Sequence, residues 1–338
     1  MSRITVLGTG AWGTAIALSL ATKPEHQITL WSHRQEAADV LNASRENRHF
    51  LPGFPIPAAI RITGDDVLAL RDAETVVSVI PSQFLRDTLT RLTPYLHPGQ
   101  VLISATKGIE DHTYLRMSQV VADTLAGANL TLPIGVLSGP SFAQEVAAGQ
   151  PTAVTIAFSA AQAGLAARIQ QDFSSPSLRL YTNDDLIGVE LGGALKNVIA
   201  IAAGALYGLG LGLNSAAGLI TRGIAEITRL SIAAGGRRET LAGLSGIGDL
   251  VLTCTGSLSR NRTVGIELGR GRSLPDILAS LDGKVAEGVR TTRAALGLAK
   301  SLDVEMPITE QMGQILDHQK SPQLAIKDLM QRPTRPED

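Results

Sequence analysis

The stretch that decides the fold is Ile4-Thr5-Val6-Leu7-Gly8-Thr9-Gly10-Ala11-Trp12-Gly13, followed by Thr14 to Ala21. A short β-branched run predicts a strand, three glycines in the spacing G-x-G-x-x-G predict a tight turn, and the next residues read as a helix. In that context the first glycine permits the turn, the second lets backbone approach a pyrophosphate, and the third lets the helix pack closely on the strand. The helix N-terminus then faces the phosphates. The loop Gly8-Thr9-Gly10-Ala11-Trp12-Gly13 is therefore expected to bind a dinucleotide, through its glycines Gly8, Gly10 and Gly13.

Further apolar runs continue the pattern at Gln27 to Trp31, Thr75 to Ile80, Val101 to Ser104, Ile134 to Leu137, Ala153 to Phe158 and Leu178 to Tyr181. Alternation with helical segments predicts a parallel sheet with crossover helices, binding its ligands along the carboxyl edge. From Asp184 onward the spacing becomes helical, as in Leu219-Ile220, Ile224, Ile227 and Leu230. The expected organisation is an α/β Rossmann domain over 1–185, an all-α substrate and catalytic domain over 186–332, and a frayed tail over 333–338. Gly235-Gly236 is expected to end a helix.

A chain of 338 residues with a formal net charge of -1 and 18% charged residues is a globular protein without the basic excess that binds nucleic acid. The lone Cys254 forms no intrachain disulfide, and no signal-peptide pattern opens the sequence, so the cytoplasm is the expected compartment. Val198 to Ile220 carries no charge and is long enough to cross a bilayer. Its glycines, dense over 208–215, instead predict a turn between two buried helices, and no membrane span is expected. The histidines lack metal-ligand spacing, so no metal is expected.

An NAD-preferring site places a carboxylate at the end of the second strand, whereas here it ends Trp31-Ser32-His33-Arg34. Arg34, with His33, suits a 2′-phosphate and leans the reading toward NADP without excluding NAD. Both are equally readable as solvent-facing loop residues.

Four later segments carry a specific resemblance: Gly139-Pro140-Ser141-Phe142-Ala143-Gln144-Glu145-Val146-Ala147, Glu190-Leu191-Gly192-Gly193-Ala194-Leu195-Lys196-Asn197-Val198, Gly243-Leu244-Ser245-Gly246-Ile247-Gly248-Asp249-Leu250-Val251-Leu252-Thr253-Cys254, and Ser259-Arg260-Asn261-Arg262. In this order, together with Ala105-Thr106-Lys107-Gly108, the chain closely resembles the bacterial-type NAD(P)-dependent glycerol-3-phosphate dehydrogenases, nearly end to end. The resemblance implies reversible reduction of dihydroxyacetone phosphate to sn-glycerol 3-phosphate for phospholipid synthesis, with NADP(H) or NAD(H). It also implies a C-terminal domain like that of 6-phosphogluconate dehydrogenase. A homodimer is expected by analogy alone.

Hydride addition to a ketone builds charge on oxygen, so the site needs a proton donor there and a cation for the phosphate. Lys196, on a helix within an apolar run, would lose solvation and its pKa would fall. The resemblance assigns it the proton transfer; the plain alternative is a lysine reaching out of a core helix. Asp249 orients Lys196 or meets the substrate hydroxyl by resemblance, and is otherwise an N-cap. By similarity Lys107, Gly139, Ser141, Ser259, Arg260 and Asn261 hold the substrate, while Ala11, Trp12, Lys107, Ala143, Arg260, Val285 and Glu287 meet the cofactor, Ala11 through its amide since it replaces what is often serine. Arg262 reads as a solvated loop arginine. Cys254 has no His partner pattern and reads as a small buried residue. Two rivals remain open: a protein that senses NAD(P)H without turnover, and a dehydrogenase of another small phosphorylated or carboxylated hydroxy compound.

Overall fold

The computed structural model describes residues 2–283, 285–334 and 336–337. Its strands are β1 (Ser2–Leu7), β2 (His26–Trp31), β3 (Glu46–Asn47), β4 (Leu51–Pro55), β5 (Arg61–Thr63), β6 (Thr75–Ser78), β7 (Val101–Ser104), β8 (Ile134–Ser138), β9 (Thr152–Ala157) and β10 (Leu178–Asn183). Eight of them form one sheet in the order β10-β9-β8-β7-β6-β1-β2-β5, and β3 and β4 form a separate hairpin. The direction of winding reverses between β1 and β6, which opens a crevice at their carboxyl ends. Alternate residues serve opposite layers: Ile4, Val6, Ile28 and Leu30 pack on one face, Leu7, Trp31, Val76 and Leu102 on the other. Burial on both faces explains why these strands read as unbroken apolar runs.

All seven expected strands form, with one correction to the sheet. β8 pairs with β9 antiparallel, not parallel. The connection from Gly139 to Pro151 carries only the short helix Ala143–Ala147 and re-enters at the edge where β8 ends, so β9 runs back; β10 then follows β9 in parallel. The sheet is mixed.

After β10 the chain is helical. Asp185 accepts from Gly188 N at 2.8 Å and starts the helix Leu186–Gly208. This helix is long and apolar enough to cross a membrane, but 89% of its apolar window is buried inside the fold, where Leu191, Leu195, Val198 and Ile199 join the second core. Leu209 to Gly212 turn into the helix Leu213–Ala233, as the glycine density predicts, but that helix is buried only from Gly223 onward, with Leu213 to Ser215 exposed, and Gly235 at φ 95° follows its end. The last helix is Pro322–Met330; of the expected tail, Arg335 and Asp338 lie outside the described residues.

Glycines let the central helix approach two neighbours closely. A Cβ on Gly193 would sit 2.5 Å from Ser138 Oγ at the end of β8, and one on Gly265 would sit 1.9 Å from Ile201 O. The helix Arg260–Gly269 therefore lies against Leu186–Gly208 backbone to backbone. Glu190 fastens the same helix to the first domain: its buried carboxylate pairs with Arg116 and accepts from Ser118 N at 2.7 Å and Ser118 Oγ at 2.6 Å.

Candidate active site

Lys196 lies two turns beyond Glu190 on the central helix, 7% exposed. Its Nζ is hydrogen-bonded to Asp249 Oδ1 and donates to Thr253 Oγ1 at 2.8 Å. From the first domain, just after β7, Lys107 Nζ donates to the other oxygen of the same carboxylate at 2.6 Å and to Gly139 O at 3.3 Å. Asp249 is fully buried and shared by the two lysines. It opens the helix Asp249–Thr255 after a single π-turn, Leu244–Gly248, and Gly248 takes the cap position, so the carboxylate serves the lysines and not the helix amides. The N-cap alternative is thereby replaced.

Burial lowers the Lys196 amine from 10.5 to about 8; Asp249 pulls upward and Lys107 pushes further down. A proton on Nζ is therefore mobile near neutral pH, which suits an acid and base for a carbonyl and alcohol pair. Cys254, one residue past Thr253, is pushed up to about 12 by its burial and stays a thiol.

Ser259 accepts from Arg262 N at 3.2 Å and caps the helix carrying Arg260 and Asn261. Arg260 is exposed beside this array. Asn261 donates from Nδ2 to Asn197 Oδ1 at 2.9 Å and accepts from Gly288 N at 3.0 Å, so its amide ties the helix Leu186–Gly208 to the helix Glu287–Ser301. Arg262 lies on a helix, its guanidinium 4.7 Å from the centre of the Tyr207 ring, which corrects the solvated-loop reading. Ser141 Oγ donates to Gly139 O at 3.0 Å, placing the turn after β8 at Lys107.

Glu287 starts its helix among positive groups. Burial raises its carboxyl to about 7 against the pull of Arg260, Lys107 and Lys196. Val285 lies two residues before it, part-buried.

The dinucleotide loop has the shape the sequence predicts. Gly8 takes φ 121° with Val79 O 3.2 Å from where a Cβ would be; a Cβ on Gly13 would lie 2.0 Å from Gly8 O; one on Gly10 would meet nothing within 4 Å. Gly8 and Gly13 thus permit the fold of the loop, while Gly10 leaves open the face a pyrophosphate needs. The residues fit an NAD(P) group. Trp12 and Ala143 are part-buried and share one apolar cluster beside the loop. His33 and Arg34 lie exposed at the end of β2, and burial, Arg34 and Arg91, in that order, lower the His33 pKa.

Lys107, Gly139, Ser141, Lys196 and Asp249 are joined by the contacts above. Two participants escape the sequence reading. Thr253 lies one helical turn after Asp249 in the same recognised segment but carried no assigned role; Glu190 lies in the recognised lysine segment, but its partners Arg116 and Ser118 are distant in sequence.

Two family models cover most of the chain: the N-terminus of NAD-dependent glycerol-3-phosphate dehydrogenase over residues 3–164 and its C-terminus over 185–327. Glycerol-3-phosphate dehydrogenase [NAD(P)+] of Acidobacterium capsulatum is 62% identical over 340 residues, spanning 100% of both chains. The enzyme of the same name from Koribacter versatilis is 55% identical, over 100% of this chain and 99% of that one. The crystal structure of glycerol-3-phosphate dehydrogenase from Coxiella burnetii superposes with a TM-score of 0.92 at 39% identity, covering 98% of this chain and 99% of that chain. The chain belongs to the NAD-dependent glycerol-3-phosphate dehydrogenase family.

Proposed function

We infer that the protein is an NAD(P)-dependent glycerol-3-phosphate dehydrogenase that reduces dihydroxyacetone phosphate reversibly to sn-glycerol 3-phosphate, a glycerophospholipid precursor. The observation that carries this reading is the buried Asp249 carboxylate held between Lys196 and Lys107 beside the dinucleotide loop's domain. When bound, the nicotinamide supplies or accepts the hydride. Lys196 Nζ gives its proton to the ketone oxygen as that oxygen gains charge, and takes it back in the reverse direction. Asp249 holds the amine in place, and Lys107 adds a second cation to the pocket. Ser259, Arg260 and Asn261 form the phosphate end, where the Arg260 guanidinium suits paired hydrogen bonds to an anion. Arg34 and His33 take the 2′-phosphate of NADP, and Ala11, Trp12, Ala143, Val285 and Glu287 line the rest of the cofactor.

A sensor without turnover has no use for two lysines on one buried carboxylate. The deciding experiment is oxidation of NADPH and NADH by purified protein on addition of dihydroxyacetone phosphate. Cofactor binding without turnover supports the sensor; turnover only with another phosphorylated or carboxylated ketone moves the substrate and keeps the chemistry. The reading includes a division into domains at about residue 185, a cytoplasmic location and a homodimer. The location rests on the lone cysteine and the N-terminal sequence pattern, and the homodimer on the family alone.

A further inference from the structure

The hairpin of β3 and β4 was not foreseen from the sequence, yet it lies against the dinucleotide loop. Leu51, 0% exposed, packs with Ala15 and Val146, and Ala11, Trp12 and Ala143 join the same cluster. The hairpin thus supports both segments that line the cofactor in the proposed function, on which this inference rests.

Asn47 makes the polar connection. It is 3% exposed, and its Nδ2 donates to Thr9 O at 2.8 Å and to Thr14 Oγ1 at 2.8 Å, while its Oδ1 accepts from Phe50 N at 3.3 Å. Thr9 O belongs to the peptide between Thr9 and Gly10. That peptide is planar and trans, so its N–H points away from its C=O. Holding the Thr9 carbonyl on Asn47 therefore aims the Gly10 N–H the other way, and a Cβ built on Gly10 would meet nothing within 4 Å, so the backbone there is open to a ligand. The second bond fixes the first turn of the helix to the same amide.

We propose that Asn47 is a positioning residue for dinucleotide binding, holding the Thr9–Gly10 peptide and Thr14 so that the Gly10 amide faces the pyrophosphate. The pyrophosphate is common to NADH and NADPH, so Asn47 acts equally on both. Asn47→Asp keeps the shape and turns the donor into an acceptor opposite two oxygens. Asn47→Ala removes the bonds without that repulsion.

The test is equilibrium titration of wild type and both variants with NADPH and with NADH, read by calorimetry, alongside the melting temperature of the free proteins and steady-state kinetics. Loss of a buried donor pair predicts binding of both dinucleotides weakened about tenfold or more by Asn47→Asp and less by Asn47→Ala. KM for cofactor should rise accordingly, with kcat at saturating cofactor within about twofold of wild type. Binding of both dinucleotides unchanged in Asn47→Asp overturns the proposal, as does a loss confined to NADPH or a fall in kcat with unchanged KM. Should Asn47→Asp fail to fold, Asn47→Ala is judged by the same criteria. Wild-type protein that binds neither dinucleotide overturns the functional reading itself.

Discussion

Lys107 Nζ donates to Asp249 Oδ2 at 2.6 Å, joining the carboxyl end of β7 to a helix that begins 142 residues later. Because Lys196 holds the other oxygen of the same carboxylate, Asp249 is the point where both halves of the chain meet. Replacing it leaves two confined amines without their counter-charge. Asp249→Asn is expected to lower kcat about a hundredfold and to destabilise the fold by about 3 kcal/mol, since breaking a buried pair strands its partners. Kinetics and denaturant unfolding read the two effects separately; an unchanged kcat would remove Asp249 from the site.

Lys196→Ala should lose turnover by about a thousandfold while NADPH still binds. The pH dependence gives a sharper test. The amine titrates at about 8, so ketone reduction, which needs Lys196 protonated, should fall as pH rises through that value, and alcohol oxidation should rise. Asp249 pulls this pKa up, so in Asp249→Asn both limbs should move to lower pH. Rate profiles in both directions measure this, and limbs that stay put in the variant would show that another group titrates.

Much of this was legible because both the strands and the glycine loop are encoded locally. Ile4 to Leu7 and the glycines after it need nothing distant to be recognised. The direction of β9 was not legible, because β-branched content marks a strand without its sense; the return over Gly139 to Pro151 sets it. β5, only Arg61–Thr63, is too short to show a period. The hairpin owes its place to one leucine in a distant cluster and one asparagine bonded across 38 residues to Thr9. At the site, the segments holding Lys196 and Asp249 were recognisable, but that one carboxylate bridges two lysines is a fact of packing.

Arg34 stands exposed at the end of β2, where the residues Trp31 to Arg34 include no carboxylate. Arg34→Ala should weaken NADPH about tenfold by removing a charged hydrogen-bond donor, and change NADH by less than about twofold. Added salt should narrow the difference, because an exposed pair is screened. Equal losses for both cofactors would place the 2′-phosphate elsewhere and put Arg34 on a part of the dinucleotide common to both.

The crossing of the helices Leu186–Gly208 and Arg260–Gly269 gives a stability prediction with a built-in control. A Cβ on Gly265 would lie 1.9 Å from Ile201 O and 2.8 Å from Ala205 N, both backbone atoms that yield only if the helices part. Gly265→Ala should therefore destabilise by about 1–3 kcal/mol as an overpacked contact. Parting the helices also draws Asn261 from Asn197, now 2.9 Å away, so KM for dihydroxyacetone phosphate should rise with the loss of stability. Gly218, inside the helix Leu213–Ala233, has nothing within 4 Å of its Cβ position, and there alanine should stabilise by up to about 1 kcal/mol through helix propensity alone. Thermal unfolding of the two variants should move in opposite directions. A Gly265→Ala protein as stable as wild type, with unaltered KM, would mean that the backbone contact does not set the position of Ser259, Arg260 and Asn261.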